Sequence, residues 1–253
     1  MRKVWVIGHV AEDVVLKLNT EIVVGNFHLP TEAINRCGGS TSNIAIGIAS
    51  GPIETGFITY LGNDDAAKLV EPVLQSSGFN PLLITRGDQG TPRCLVVVDK
   101  SGERTLMLLS KPIKDHGGLT FKNSGIKSGD IVLFTHWYEE WRAEIDIARE
   151  QGCTIVIGLG ALLADPQVSA DIAIGSIADI PKELPFEDYL DRFPLIVVTR
   201  GLSGSTLYSK SGKVHQDAFP VNTIDATGAG DSFLSGFLTG YALGIAPGKV
   251  CLR

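Results

Sequence analysis

The sequence predicts an α/β fold in which a mainly parallel central sheet is flanked by helices on both faces. Short, wholly apolar runs recur along the chain, as buried parallel strands require. Helix-like stretches separate several of these runs, which is the rhythm of strands joined by crossover helices. The chain has 253 residues, of which 44% are hydrophobic and 20% charged. This composition suits one domain, residues 1–253, with a large core.

The first half of the chain begins the alternation. Apolar runs at Val4–Ile7 and Phe57–Tyr60 predict two buried strands. Thr41–Ala49 follows two glycines and is rich in small and apolar residues, which predicts a buried helix. Asp64–Gln75 is amphipathic and has aspartates at its start, so we expect a second helix there.

The second half continues the same pattern. Further buried strands are predicted at Ile131–Phe134, Thr154–Ile157, Asp171–Ile174 and Leu195–Thr199. Between the first two of these runs, Glu139–Gln151 carries Trp141, Ile145 and Ala148 at helical spacing. We therefore expect a helix in that interval.

Two β-rich segments interrupt the alternation. Val14–Val24 contains strand-forming residues, and Arg93–Val98 with Arg104–Leu109 predicts a β-hairpin around an Asp-Lys-Ser-Gly turn. We expect segments at about residues 14–35 and 91–110 to form a small sheet that covers a site.

Composition excludes several partners. The formal net charge is -6 and no stretch is a basic run, so neither a nucleic-acid duplex nor an anionic membrane is an expected partner. No apolar span reaches the roughly 20 residues that cross a bilayer. The cysteines are too widely spaced for a zinc or redox site; they are Cys37, Cys94, Cys153 and Cys251. We expect a cytoplasmic protein.

The clearest chemical motif is the string Asp225–Phe233. Gly228 and Gly230 allow the backbone to approach a ligand closely and to direct N–H groups at it. A helix predicted to extend to about Leu243 adds its positive N-terminal end, so the turn is suited to phosphate. Asp231 would repel phosphate unless it accepts a proton from an attacking hydroxyl. For a generic Gly-x-Gly-Asp sequence, a helix N-cap is the alternative.

Residues Asp225–Asp231 resemble the C-terminal signature of the ribokinase-like (PfkB) carbohydrate kinases and depart from it at Ala226. This resemblance implies a ribokinase-like fold with a small β lid. It also implies that Asp231 is the catalytic base that activates a substrate hydroxyl. The implied anion hole is the backbone of Gly228, Ala229 and Gly230.

The resemblance also implies ATP and Mg²⁺ as cofactors. Asp225 and Thr227 correspond to the family's loop for a monovalent cation, which would be potassium, and lie on the nucleotide side. The family's Asn-x-x-Glu element, which organises magnesium, is altered here to Ser176 and Asp179. Asp179 could still contact Mg²⁺ through water, although an ordinary loop position is the simpler interpretation.

Two N-terminal segments resemble the family's substrate-binding elements. Gly38 and Gly39 would allow close approach of a sugar, and Asn43 would hydrogen-bond its hydroxyls. Asp13 follows the first strand at the family's spacing and would accept hydrogen bonds from substrate hydroxyls. Outside this context, a turn before a helix and a solvated aspartate would explain both segments.

Thr199, Gly201 and Gly204 resemble the family's nucleotide loop, a Thr-x-Gly-x-x-Gly sequence after a strand. Family members usually continue beyond the point corresponding to Arg253 with helices that wall the adenine pocket. We therefore expect the C-terminal helices to be truncated or this wall to be partly missing.

The predicted function is ATP-dependent phosphorylation of a hydroxyl on a sugar or sugar-like molecule. A nucleoside kinase of the same fold is one alternative, disfavoured because the lid has Phe27 and few other aromatic residues. A non-catalytic sugar- or nucleotide-binding relative is another. A nicotinamide oxidoreductase is disfavoured because no Gly-x-Gly-x-x-Gly follows the first strand. In many members of the family the lid also forms a dimer contact, so a homodimer is expected.

Overall fold

The computed structural model describes residues 2–110, 113, 115–221 and 227–250. Its strands are β1 (Val4–Ile7), β2 (Ala11–Lys17), β3 (Glu32–Gly38), β4 (Thr55–Gly62), β5 (Leu82–Gly87), β6 (Arg93–Val98), β7 (Arg104–Leu108), β8 (Ile131–Phe134), β9 (Thr154–Gly158), β10 (Ile172–Ser176), β11 (Leu195–Thr199), β12 (Ser205–Ser209) and β13 (Gly212–Gln216). Its helices are α1 (Ser40–Ala49), α2 (Asp65–Ser76), α3 (Trp141–Glu150), α4 (Ala161–Ala164), α5 (Ala229–Ala242) and α6 (Pro247–Val250). Among these helices, none is long and apolar enough to cross a membrane.

A nine-stranded sheet forms the centre, in the order β13-β12-β11-β10-β9-β8-β1-β4-β5. Its strand pairs are parallel except for β11 with β12 and β12 with β13. The chain moves outward from β1 through β4 to β5, and then resumes on the other side of β1 with β8. The carboxyl ends of β1 and β8 are therefore a topological switch point, where open α/β sheets bind ligands.

Helices cover both faces of this sheet, and β1 shows how the sequence achieves this. Val4 and Val6 pack into a core cluster with buried side chains of α1, α2 and α5. Trp5 and Ile7 point to the other face and pack with α3 and α4. Because all four side chains are almost completely buried, the strand reads as an unbroken apolar run. The predicted fold class is confirmed.

Small residues bring α1 and α5 into close contact. A Cβ on Gly47 would lie 2.5 Å from Oγ of Ser235, so a larger residue does not fit there. Oγ of Ser235 donates to the backbone oxygens of Asp231 at 2.7 Å and of Ile44 at 3.1 Å. These contacts fix the first turn of α5 relative to α1.

A separate four-stranded sheet has the order β3-β2-β6-β7. β2 is antiparallel to β3 and parallel to β6, so the two β-rich segments of the sequence meet along this central pair. The predicted hairpin is present as β6 and β7, with β7 ending one residue early at Leu108.

The prediction of a strand at Val14–Val24 is wrong at both ends. β2 begins at Ala11 and ends at Lys17. The strand includes the buried Glu12, whose carboxylate accepts hydrogen bonds from Asn35 at 2.7 Å and from Arg93 at 2.5 Å. Because neighbouring strands supply these partners, charged residues are accommodated inside this small sheet.

Candidate active site

A cavity of about 150 Å³ lies at the switch point between β1 and β8. It is bordered by residues after β1, at the start of α1 and after β8, including Gly8, His9, Gly39, Thr41, Thr135 and His136. A larger, shallow depression of about 570 Å³ borders Arg2, Asp130 and Gly244, beside the amino ends of β1 and β8. Asp130 there accepts a 3.0 Å hydrogen bond from the indole of Trp5, so it serves the fold. Because open α/β sheets bind ligands at the carboxyl ends of their strands, the smaller cavity is the candidate site.

Asn43 and Asp231 meet between the first turns of α1 and α5. The side-chain amide of Asn43, in the first turn of α1, donates a 2.8 Å hydrogen bond to Oδ2 of Asp231. Asp231 lies in the first turn of α5, so the bond joins positions 188 residues apart in sequence. Both residues are half-buried.

The turn Gly228–Gly230 before Asp231 presents backbone N–H groups at the start of α5. Gly228 adopts φ +77°, a left-handed conformation that favours glycine, and α5 begins at the next residue. Ala229 and Gly230 are exposed, and a Cβ on Gly230 would meet no atom within 4 Å. Their N–H groups belong to the first turn, where backbone donors have no helical partner. An N-cap role for Asp231 is excluded because Gly228 occupies that position.

Asp13 approaches the same place from β2. Its side chain is buried and its carboxylate occupies the space above Gly38. Burial raises the pKa of Asp13 above its ordinary value; the guanidinium of Arg36 opposes this rise and the charge of Asp231 adds to it. The effect of Asp231 on the pKa of Asp13 indicates that the two carboxylates are near each other.

Gly38 and Gly39, which precede α1, are each required for a different structural reason. Gly39 adopts φ +90°, and a Cβ there would lie 3.3 Å from the backbone nitrogen of Ala11. Gly38 leaves room for Asp13. The buried hydroxyl of Ser42 donates to the backbone oxygens of Gly38 and Gly39 at 2.6 and 2.9 Å, which holds this turn against the helix. The predicted substrate residues thus converge around one turn.

A chain of polar side chains lines the cavity. Oγ1 atoms of Thr41 and Thr135 lie 2.7 Å apart, and Nδ1 of His136 lies 3.1 Å from Oγ1 of Thr135. Burial of the ring lowers the pKa of His136, while the charges of Asp179 and Asp231 oppose this fall. The lowered pKa favours the neutral imidazole near pH 7.

Asp179 helps to shape a turn. Its Oδ2 accepts a 2.7 Å hydrogen bond from the backbone N–H of Ser176, and Oγ of Ser176 accepts one from Ala178. This reciprocal pattern caps a single helical turn after β10. In the part of the chain that is described, no group of three or more His, Cys, Asp and Glu side chains could hold a metal. A magnesium ion here would depend on phosphate oxygens and water.

The Thr-x-Gly-x-x-Gly loop follows β11 at the same edge of the sheet. Oγ1 of Thr199 donates to the backbone oxygen of Gly175 at 3.4 Å. Gly201 adopts φ +57° in open space, whereas Gly204 adopts φ +80° and a Cβ there would lie 1.9 Å from the oxygen of Gln216. Gly204 is therefore needed for the turn into β12, and Gly201 leaves its surface open.

The predicted cation loop is only partly located. Thr227 directly precedes Gly228 and is half-buried. Asp225 and Ala226 lie outside the described residues.

Sequence reasoning missed three residues that shape the site. Thr135 links α1 to the end of β8, Arg36 lies beside Asp13, and Ser235 supports the turn of Asp231. A signal existed for Ser235, since it follows Asp231 by four residues and therefore lies on the same helix face. Arg36 and Thr135 have no comparable signal, because their roles arise from pairing between distant strands.

Comparisons with known proteins agree with this geometry. The model of the pfkB family carbohydrate kinases matches residues 1–153 and 188–251. The chain is 26% identical over 252 residues to the ATP-dependent ribose-1-phosphate kinase of Halopiger xanaduensis, covering 94% of this chain and 84% of that protein. It is 24% identical over 267 residues to a nucleoside kinase of Methanocaldococcus jannaschii, covering 96% and 85%.

A solved structure shows the same architecture. The ribokinase of Thermotoga maritima superposes with a TM-score of 0.80 at 21% identity, covering 99% of this chain and 89% of that one. The arrangement of the two sheets and their helices is thus the ribokinase fold.

Proposed function

This chain belongs to the pfkB family of carbohydrate kinases, and we propose that it transfers the γ-phosphoryl group of ATP to a hydroxyl of a sugar or sugar-like molecule, with Asp231 as the general base. The observation that carries this proposal is the hydrogen bond from Asn43 to Asp231. It unites the two sequence signatures at the switch point of the sheet, where a ligand has access.

Each side chain around the reacting hydroxyl has a separate role in this proposal. Asp13 accepts hydrogen bonds from other hydroxyls of the sugar and fixes its orientation. Asp231 accepts the proton of the attacking hydroxyl, while Asn43 holds the carboxylate in place. The N–H groups of Gly228–Gly230 stabilise negative charge on the transferring phosphoryl group.

We assign the loop of Thr199, Gly201 and Gly204 to the nucleotide, because it opens at the same edge of the sheet as Asp231. Mg²⁺ supplies neutralisation of phosphate charge, and Asp179 would order one of its waters. Thr227 and Asp225 would contribute to a potassium site. We propose a cytoplasmic location, which an ATP-dependent reaction would suit.

The small sheet serves as the lid in this proposal. It carries Asp13 towards the site, and its closure over the sugar would exclude water.

The sheet also exposes apolar side chains, with Leu106 57% and Leu108 58% accessible and Phe27 in the adjoining loop 90% accessible. We propose that this apolar surface pairs with a second copy of the chain. Light scattering should show a dimer, and Leu106→Asp with Leu108→Asp should give a monomer.

The test of the kinase activity is ADP release from Mg-ATP across a panel of sugars, sugar phosphates and nucleosides, run with Asp231→Asn and the exposed control Asp88→Asn. We expect substrate-dependent turnover that falls roughly 10²–10⁴-fold in Asp231→Asn and is unchanged in the control. Titration calorimetry should show that Asp231→Asn still binds the substrate. Equal turnover in Asp231→Asn and the unaltered protein would refute the assignment of the base.

The same panel decides between the alternatives. Turnover confined to nucleosides would identify a nucleoside kinase, as the relative from Methanocaldococcus jannaschii is named. Binding of a sugar or of ATP without any turnover would identify a non-catalytic relative.

A further inference from the structure

The face of the small sheet that carries Asp13 also carries Arg36. The two residues are partners in the register of β2 and β3, and Cys94 of β6 is the partner of Asp13 on its other side. Residues directly opposite each other in neighbouring strands place their side chains on the same face. The charge of Arg36 lowers the pKa of Asp13, in agreement with this register.

The charge of Arg36 acts on Asp13, yet no direct bond to a described residue holds Arg36 in place. Its side chain is exposed, and its guanidinium makes no hydrogen bond or ion pair with any residue that the structure describes. Arg93 provides a contrast on the opposite face, where its Nε lies 2.5 Å from the buried carboxylate of Glu12. Arg93 therefore supports the fold, whereas Arg36, at the same end of the sheet, remains available to a ligand.

The surroundings of Arg36 restrict the kind of ligand it suits. Along the face shared with Asp13, the neighbouring positions are mainly apolar: Val15, Ile34, Val96, Leu106 and Leu108. When a substrate occupies the site beneath this face, the guanidinium loses water. A neutral hydroxyl compensates poorly for that loss, whereas a phosphate or carboxylate can accept two parallel hydrogen bonds.

An anionic substrate also needs a cation at this place. The charges of Asp13 and Asp231 act on each other, and both would repel an anion. We propose that Arg36 binds an anionic group of the sugar substrate, a phosphate or a carboxylate, at a position remote from the hydroxyl that is phosphorylated. This inference rests on the proposed kinase function and names its substrate class: sugar phosphates or sugar acids.

The experiment compares matched substrates in matched variants. ADP release is measured with fructose and fructose 6-phosphate, ribose and ribose 1-phosphate, and glucose and gluconate. The variants are Arg36→Gln, Arg36→Lys and the control Arg104→Gln, an exposed arginine at the far end of the same sheet. The phosphate and acid arms identify which anion is recognised.

We expect the unaltered protein to prefer an anionic substrate. Arg36→Gln should reduce kcat/KM for that substrate by roughly 10–100-fold, because a charge-assisted hydrogen bond is lost, and should change kcat/KM for the neutral partner by no more than about 3-fold. Arg36→Lys should retain part of the preference, and Arg104→Gln all of it. Equal losses with neutral and anionic sugars would overturn the inference, since Arg36 would then act only by supporting Asp13. A preference of the unaltered protein for neutral sugars would overturn it as well.

Binding separates this inference from the kinase activity itself. Titration calorimetry without ATP tests whether fructose 6-phosphate, ribose 1-phosphate or gluconate binds and whether Arg36→Gln weakens that binding. Selective weakening without any turnover would support the anion site while the kinase proposal failed. Turnover of neutral sugars alone, with no binding of any of the three anionic sugars, would support the kinase proposal while the anion site failed. If light scattering shows that Arg36→Gln dissociates an oligomer and impairs all substrates alike, Arg36 is a subunit contact and the inference is wrong.

Discussion

A Cβ atom on Gly38 would lie 2.1 Å from the carboxylate carbon of Asp13. No real Cβ makes such a contact, so the position of Asp13 over the turn before α1 requires a glycine beneath it. Gly38 does not have a left-handed conformation to explain its identity. The space it leaves for the carboxylate is the explanation.

Gly38→Ala should therefore displace Asp13 while leaving the nucleotide loop unchanged. We expect kcat/KM for the sugar to fall on the order of 10-fold or more, because Asp13 no longer reaches the substrate hydroxyls. KM for ATP should stay within about 2-fold. Gly236→Ala is the matched control, since a Cβ there meets no atom within 4 Å and alanine favours the helix α5. A Gly38→Ala enzyme as active as this control would contradict the role of the turn.

Asn43→Ala tests the hydrogen bond to Asp231. Loss of a donor to a charged acceptor removes about 1.5–3 kcal/mol, so kcat should fall roughly 10–100-fold while KM for ATP changes little. Gln75→Ala removes a longer amide–carboxylate contact, 3.4 Å to Glu71 on the exposed face of α2, and should not alter kcat. Steady-state kinetics with circular dichroism as a check of folding make the comparison. A fall in stability with unchanged kcat would show that Asn43 serves only the fold.

Asp13→Asn should stabilise the protein at neutral pH. The folded state raises the pKa of Asp13, chiefly by burial. Below the ordinary pKa of about 3.9, Asp13 is protonated in both the folded and the unfolded protein, so it does not lower the free energy of unfolding. As pH rises through the raised pKa, the folded protein must hold an ionised carboxylate in a buried place, which lowers the free energy of unfolding. The stability advantage of Asp13→Asn should thus be full at about pH 8 and shrink towards about pH 4.

Thermal unfolding across that range measures this difference, with the exposed Asp88→Asn as control. The same Asp13→Asn variant should lose affinity for the sugar, a trade between stability and function. An advantage that is constant with pH would contradict the raised pKa.

The nucleotide loop offers a pair of glycines with opposite requirements. Gly204→Ala should distort the turn into β12, because its Cβ would collide with the oxygen of Gln216. We expect a loss of stability above about 2 kcal/mol and a raised KM for ATP. Gly201→Ala causes no collision, because Gly201 lies in open space. Only its positive φ is unfavourable for alanine, so the free energy of unfolding should fall by about 1 kcal/mol. Denaturant unfolding and ATP titrations distinguish the two, and equal effects would show that the collision is relieved by movement of the loop.

Strands of the central sheet were predictable where burial dictated their composition. Val4–Ile7, Ile131–Phe134 and Leu195–Thr199 have the same bounds in the structure as in the prediction. β3 was missed because five of its seven residues are exposed and its sequence shows no alternation. Pairing with β2 determines the conformation of β3, and the residues of β2 lie about 20 positions earlier in the chain.

The site residues were likewise predictable only in part. The sequence indicated Asp13, Asn43 and Asp231 separately, and the structure brings them together at one edge of the sheet. Their roles stay predictions until the variants are measured. Arg36 could not be predicted, because an arginine in an exposed edge strand has no pattern until the register with Asp13 is known.

The contact between α1 and α5 has a consequence for the protein during its synthesis. Asn43 leaves the ribosome 188 residues before Asp231, which at typical elongation rates is a delay of roughly 10–40 s. Throughout that interval Gly47 and the buried face of α1 have no α5 to pack against. The nascent chain can complete much of its parallel sheet, yet it exposes an apolar groove that suits a chaperone or a neighbouring nascent chain. Slowing translation before α5 should therefore increase aggregation more than slowing it after α5.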